Sequence, residues 1–324
     1  MDRKLAPMLL SVVALLLVIG AGPAAASFPG KPGPIAYAKT STDEVGEGTL
    51  ERLGGIFAYG LAGSRRPSPL TSDPDDHSPS YSADGRSIVF VGEGTTGGSA
   101  IYVMDSDGSD RRLVVDDGAA PHFFPSGRAI AFVRMAEGHS HVFTVRLDGS
   151  GLRQLTFGPY DDSDPAVSPN GRRIAFAGER DPDGRRDRSD IFVMAPDGSG
   201  LRVLIDGERN ESEPDFAPSG RRLAFVSNRG RGTGVFVARA DGSRVKRLTP
   251  CNPFPPRCRG YVDPAFSPDG KRIAVLGLGR RSSTISLIRA DGGGVGKTVD
   301  SGGTEEEGFG SHVGAPAWGP LPGS

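Results

Sequence analysis

One phrase recurs five times along this chain: a Pro, a short apolar stretch, a turn ending in Gly and a basic residue, an apolar run, a gap of variable length, a second apolar run, and a turn on Asp-Gly. The first turns, Asp84-Gly85, Ser126-Gly127, Asn170-Gly171, Ser219-Gly220 and Asp269-Gly270, follow one another at 42, 44, 49 and 50 residues. The second turns, Asp107-Gly108, Asp148-Gly149, Asp197-Gly198, Asp241-Gly242 and Asp291-Gly292, keep step with them. A period of about 45 residues holding four strand-sized pieces is the signature of a propeller blade. Strands two and three are apolar at nearly every position, as a sheet covered on both faces requires.

Each blade opens on a proline: Pro79, Pro121, Pro165, Pro214, Pro264 and Pro316. Because Pro cannot donate to a ladder, it is expected at the first residue of an edge strand, here the innermost strand of each blade. Two residues later stand Tyr81, Phe123, Val167, Phe216, Phe266 and Trp318, predicted to wedge between adjacent blades. Six prolines against five full repeats show how the ring closes. Residues 316–320 match a first strand, 34–38 a second, and 56–64 a third strand with its turn. The C-terminus therefore supplies one strand, and the N-terminus three, to a composite sixth blade. The predicted fold is an all-β, six-bladed propeller, and closure leaves it no open sheet edge.

Residues 263–275 and 190–199 carry the repeat best: Asp263-Pro-Ala-Phe-Ser-Pro-Asp-Gly-Lys-Arg-Ile-Ala-Val275, and Asp190-Ile-Phe-Val-Met with Asp197-Gly-Ser199. They resemble the TolB-type propeller repeat, a relative of the WD repeat. The resemblance covers about Pro34 to Pro320 and implies a periplasmic propeller that binds envelope proteins. TolB-type proteins of that system place an α/β domain before the propeller, whereas here the first strand begins about eight residues after a predicted cleavage site.

That site ends a leader. Arg3 and Lys4 precede an apolar run from about Met8 to Ile19, and small residues lead to Ala24-Ala25-Ala26, so residues 1–26 are read as a signal peptide and 27–324 as the propeller. Export to the periplasm or beyond follows, with no membrane span once the leader is removed. Cys251 and Cys258 bracket a proline-stiffened loop, and an oxidising compartment predicts a disulfide between them. A net charge of -1 with 7% aromatics argues against nucleic acid.

Variable connections on a rigid scaffold are where binding residues concentrate. In this chain the blade-to-blade links and the gaps between strands two and three vary in length and share one face. The six links carry a formal charge of -14, leaving +13 for everything else. The residue before the opening Pro is Asp164, Glu213 and Asp263 in three consecutive blades, so carboxylates are expected to converge at the channel mouth and attract cations. Asp76, His77 and His312 flank the same mouth in sequence. No cofactor is called for; Ca²⁺ and a basic protein surface are the two cationic occupants such a mouth would take. His139 and His141, two apart, are read as solvated loop histidines, and the Asp181, Asp183, Asp187, Asp190 series does not match an EF-hand. The sequence contains no G-x-S-x-G, phosphate loop or H-E-x-x-H. The expectation is a monomeric, non-catalytic binding propeller with a protein or envelope partner. The alternative is a metal-assisted enzyme acting on polysaccharides.

Overall fold

In a computed structural model the described residues are 28–44, 50–60, 66–180, 188–207, 209–230, 232–249, 260–279, 283–301 and 312–323. They form six four-stranded antiparallel sheets. Blade 1 has the order β24 (His312–Pro320), β1 (Pro32–Glu44), β2 (Leu50–Tyr59), β3 (Ser68–Pro69). Blades 2 to 6 follow in chain order as β4–β7, β8–β11, β12–β15, β16–β19 and β20–β23. Their inner strands are β4 (His77–Tyr81), β8 (Ala119–Phe123), β12 (Asp162–Val167), β16 (Glu211–Phe216) and β20 (Gly260–Phe266). No described helix is long and apolar enough to cross a membrane.

The composite blade pairs as the repeat count requires. Ile35 stands opposite Trp318, and Tyr37 opposite Pro316 and Phe57. The Trp318 indole donates to the Gly33 carbonyl at 3.1 Å. Side chains then tie this blade to blade 6: the Tyr37 hydroxyl donates to Asp300 at 2.7 Å, and Lys39 pairs with the same carboxylate at 3.0 Å.

Six apolar clusters fill the six blade interfaces, and each holds one wedge residue. Tyr81 lies between blades 1 and 2, Phe123 between 2 and 3, Val167 between 3 and 4, and Phe216 between 4 and 5. Phe266 lies between 5 and 6, and Trp318 between 6 and 1. Burying each large wedge contributes roughly 1.5–3 kcal/mol. The tight turns are set by local chemistry. In Asp197-Gly198-Ser199 the carboxylate accepts from the Ser199 amide and hydroxyl at 3.0 and 2.6 Å, while Gly198 takes a positive φ of 81°.

Phe28 belongs to the cluster between blades 2 and 3, yet two residues later the Gly30 amide donates to Pro268 of blade 6. Those points lie on nearly opposite sides of the ring, so this short segment crosses the axis on the face of the tight turns.

One local expectation is corrected. The blade-opening prolines are not the first residues of their strands: Pro165 is fourth in β12, and Pro264 fifth in β20. The inner strand starts earlier and passes through a register shift, between Ser163 and Ala166 in blade 4 and at the matching point of blades 2, 3, 5 and 6. In those blades the bulge takes the proline out of the ladder, so its missing donor costs no ladder bond, whereas in blade 1 the shift falls one residue earlier and Pro316 stays opposite Tyr37.

Candidate axial carboxylate site

The bulge also sets the geometry of the site. Ser78, Ala120, Asp164, Glu213 and Asp263, each directly before its proline, all have φ between 51° and 53°. Left-handed backbone is costly for residues with a Cβ, and more so before proline. Its recurrence in five blades marks a conformation that the inner strand imposes. The inner strands adjoin one another around the axis. Neighbouring bulges are therefore close enough for one blade's side chain to reach the next blade's backbone.

Three carboxylates use that proximity. The Glu213 amide donates to the Asp164 carboxylate, which also accepts from the Ser163 hydroxyl at 2.9 Å. The Asp263 amide donates to Glu213 Oε2 at 2.5 Å. The relay stops at Asp263, whose side chain is fully buried with neither oxygen receiving an N–H or hydroxyl hydrogen bond. What it faces is the Glu213 carboxyl.

Asp263 also feels the charge of Asp164 from two blades away. Burial pushes Asp164 up to about 6. Burial, then the Asp164 charge, pushes Glu213 up to about 8. Asp263 is held well above the usual carboxylate range by burial first and by Glu213 and Asp164 next. Asp263 and Glu213 hydrogen-bond to each other, and burial with mutual repulsion disfavours charging both at once.

The remaining sequence candidates sit elsewhere. Asp76 is fully buried but bonded to Arg111 at 2.9 Å, and burial pushes it up to about 6 against that pairing. It lies three residues before its proline, where blades 4 and 5 place Asp162 and Glu211. Asp162 is held by Arg180 at 2.5 and 2.7 Å, and Glu211 by Arg229 at 2.7 Å. Each of these arginines covers a stacked aromatic pair: Phe90–Tyr102, Phe176–Phe192 or Phe225–Phe236, all at 5.8 Å between centroids. This second row of acids, with its cations, is part of each blade's frame.

His77 is half-buried, its Nδ1 lies 2.8 Å from the Ser78 hydroxyl, and burial lowers its pKa. His312 opens β24 opposite Thr40; its side chain is outside the described residues, as are Cys251, Cys258, Asp181, Asp183, Asp187 and the leader. The histidine pair is corrected. His139 and His141 lie on β10 (His139–Arg146), with His141 buried, and their Nδ1 atoms approach Asp161 and Asp162 at 3.6 and 3.8 Å. A strand longer than the gap suggested carries them inward. Asp190 is likewise a strand residue, accepting from the Gly207 amide at 3.2 Å.

Two residues just after a blade-opening proline latch blades together. His122 Nδ1 accepts from the Val167 amide at 3.1 Å, and Asp215 accepts from the Phe266 amide at 2.7 Å. Burial drives His122 down to about 3, so it is neutral. Among the described residues, no three His, Cys, Asp or Glu side chains are arranged to hold a metal ion.

Six sheets and the composite blade define a closed six-bladed β-propeller. The TolB beta propeller domain family matches residues 54–186 and 165–308, and the chain belongs to that family. It is 32% identical to an uncharacterized protein of Agrobacterium fabrum over 113 residues, 34% of this chain and 38% of that one. It is 38% identical to the Tol-Pal system protein TolB of Zymomonas mobilis over 79 residues, 22% of this chain and 17% of that one. The chain thus matches well under half the length of these relatives. In three dimensions it is similar to TolB from Acinetobacter baumannii, with a TM-score of 0.65 at 18% identity, covering 89% of this chain and 67% of that one.

Proposed function

We propose that this protein is an exported, non-catalytic propeller that binds a protein partner of the cell envelope on its link face. The observation that supports the reading is the mutual contact of Asp164, Glu213 and Asp263, each directly before the opening proline of three consecutive blades. Nearby the same face presents apolar surface: Phe157 is 66% exposed, and Tyr160 lies beside it in the link from blade 3 to blade 4. Exposed aromatic side chains are the kind of anchor that protein interfaces favour. The relative named as a Tol-Pal system protein supports an envelope setting, and the leader read at residues 1–26 supports export.

Site-directed photo-crosslinking tests this. A benzophenone side chain at position 157, or at position 126 on the tight-turn face, is expressed in the native envelope. A discrete crosslinked protein from 157 and none from 126 is expected. Equal crosslinking from both faces, or none from 157, would overturn the assignment of the working face.

A further inference from the structure

Two rows of acids ring the channel, and they differ in one respect. Every member of the outer row has an arginine: Asp76 has Arg111, Asp162 has Arg180, and Glu211 has Arg229. The axial row has none. The groups that act on Asp164, Glu213 and Asp263 are one another, Ser163 and backbone amides. At the same step blades 1, 2 and 3 place Ala315, Ser78 and Ala120. The other titratable groups described on the inner strands are engaged or neutral: Asp162 and Glu211 with arginines, Asp215 and His122 with amides, and His77 beside Ser78.

A buried carboxylate normally comes with its cation or loses its charge. Here Asp263 is completely buried, both its oxygens lack a donor, and it faces into the row. Asp164 and Glu213, in front of it, remain half-buried and accessible. The segment from Phe28 to Gly30 crosses the axis on the tight-turn face, the face opposite the links.

We propose that the axial row is a socket for one monovalent organic cation, the ammonium or guanidinium of a Lys or Arg side chain on a segment that a partner inserts from the link face. This rests on the binding role proposed above and names the chemistry of the inserted group. Without a cation, burial and mutual repulsion favour the protonated carboxyls in this row. An arriving cation favours the charged form instead, and a proton leaves to solvent. Binding is therefore tighter at higher pH and is accompanied by proton release. A planar guanidinium can engage Asp164 and Glu213 at once, so arginine is the better fit.

Calorimetry on the whole protein, with capped arginine amide, capped lysine amide, capped norleucine amide and calcium chloride as separate titrants, tests the inference. Runs at pH 6 and pH 8, in buffers of low and high ionisation enthalpy, count the protons. Expected are binding of the arginine and lysine probes, at least tenfold tighter at pH 8, with net proton release and no binding of norleucine. Glu213→Gln should weaken the arginine probe at least tenfold and remove the proton release, while Asp206→Asn, at an exposed carboxylate paired with Arg188, changes neither. Melting of the Gln variant at or above wild type at pH 6 separates lost binding from lost fold.

Equal binding of norleucine, an unchanged Gln variant, or calcium binding with the same proton release would each overturn the inference, the last by making this a metal site. Failure of both cationic probes would also overturn it. If crosslinks from position 157 persisted in that case, the link face would still be a docking face, one without a cation socket.

Discussion

Replacing Glu213 by Gln keeps an acceptor for the Asp263 amide while removing one charge from the crowded row. In the folded protein Glu213 holds its proton to about pH 8, against 4.5 for the ordinary side chain. The folded state therefore binds more protons than the unfolded chain between those values. Stability at this site falls as pH rises through that window, and the penalty is complete above pH 8. At about 1.4 kcal/mol per pH unit the full penalty is roughly 5 kcal/mol. Because Glu213 is half-buried, solvent screening lowers this to a working figure of about 2 kcal/mol. For a domain of this size that raises the melting temperature of Glu213→Gln above wild type by about 5 °C at pH 9. At pH 4.5 the two should melt together. Scanning calorimetry at both values reads the difference. A Gln variant destabilised equally at both pH values would refute the idea that like charge, and not packing, dominates here.

Three further outcomes test the frame. Trp318→Ala empties the interface that closes the ring and should cost about 3–5 kcal/mol, read by urea unfolding. Arg229→Ala leaves Glu211 buried without its cation and should cost about 3 kcal/mol near neutral pH, a loss that shrinks as acid protonates Glu211. Phe28→Ala should cost about 3 kcal/mol and speed hydrogen exchange in β8 and β9 (Ala129–Ala136), because Phe28 is 1% exposed within their cluster.

The ring was legible because its signals are local or strictly periodic. The Asp-Gly turns, the residue two past each proline and the unmatched sixth proline specify blades, wedges and closure with no knowledge of contacts. The site was legible only in part. That Asp164, Glu213 and Asp263 face one axis follows from their shared offset of one before proline. Asp76 was grouped with them by nearness in sequence, yet its offset of three belongs to Asp162 and Glu211. That difference in offset was the available signal. The arginines that hold the second row lie 35 residues away for Asp76 and 18 for the other two, and only the folded register brings them back. The left-handed bulge was also hidden, because proline disfavours it locally and the pairing of the whole inner strand imposes it.

Carboxyl-detected ¹³C NMR on the whole protein, titrated from pH 3 to 9, addresses the axial row most directly. The account predicts resonances with midpoints near 6 and near 8 that vanish in Asp164→Asn and Glu213→Gln respectively, and an Asp263 signal that titrates well above the usual carboxylate range. If all three carboxyls titrated below pH 5, the axial row would be an ordinary solvated set of turn residues, and the socket would not exist.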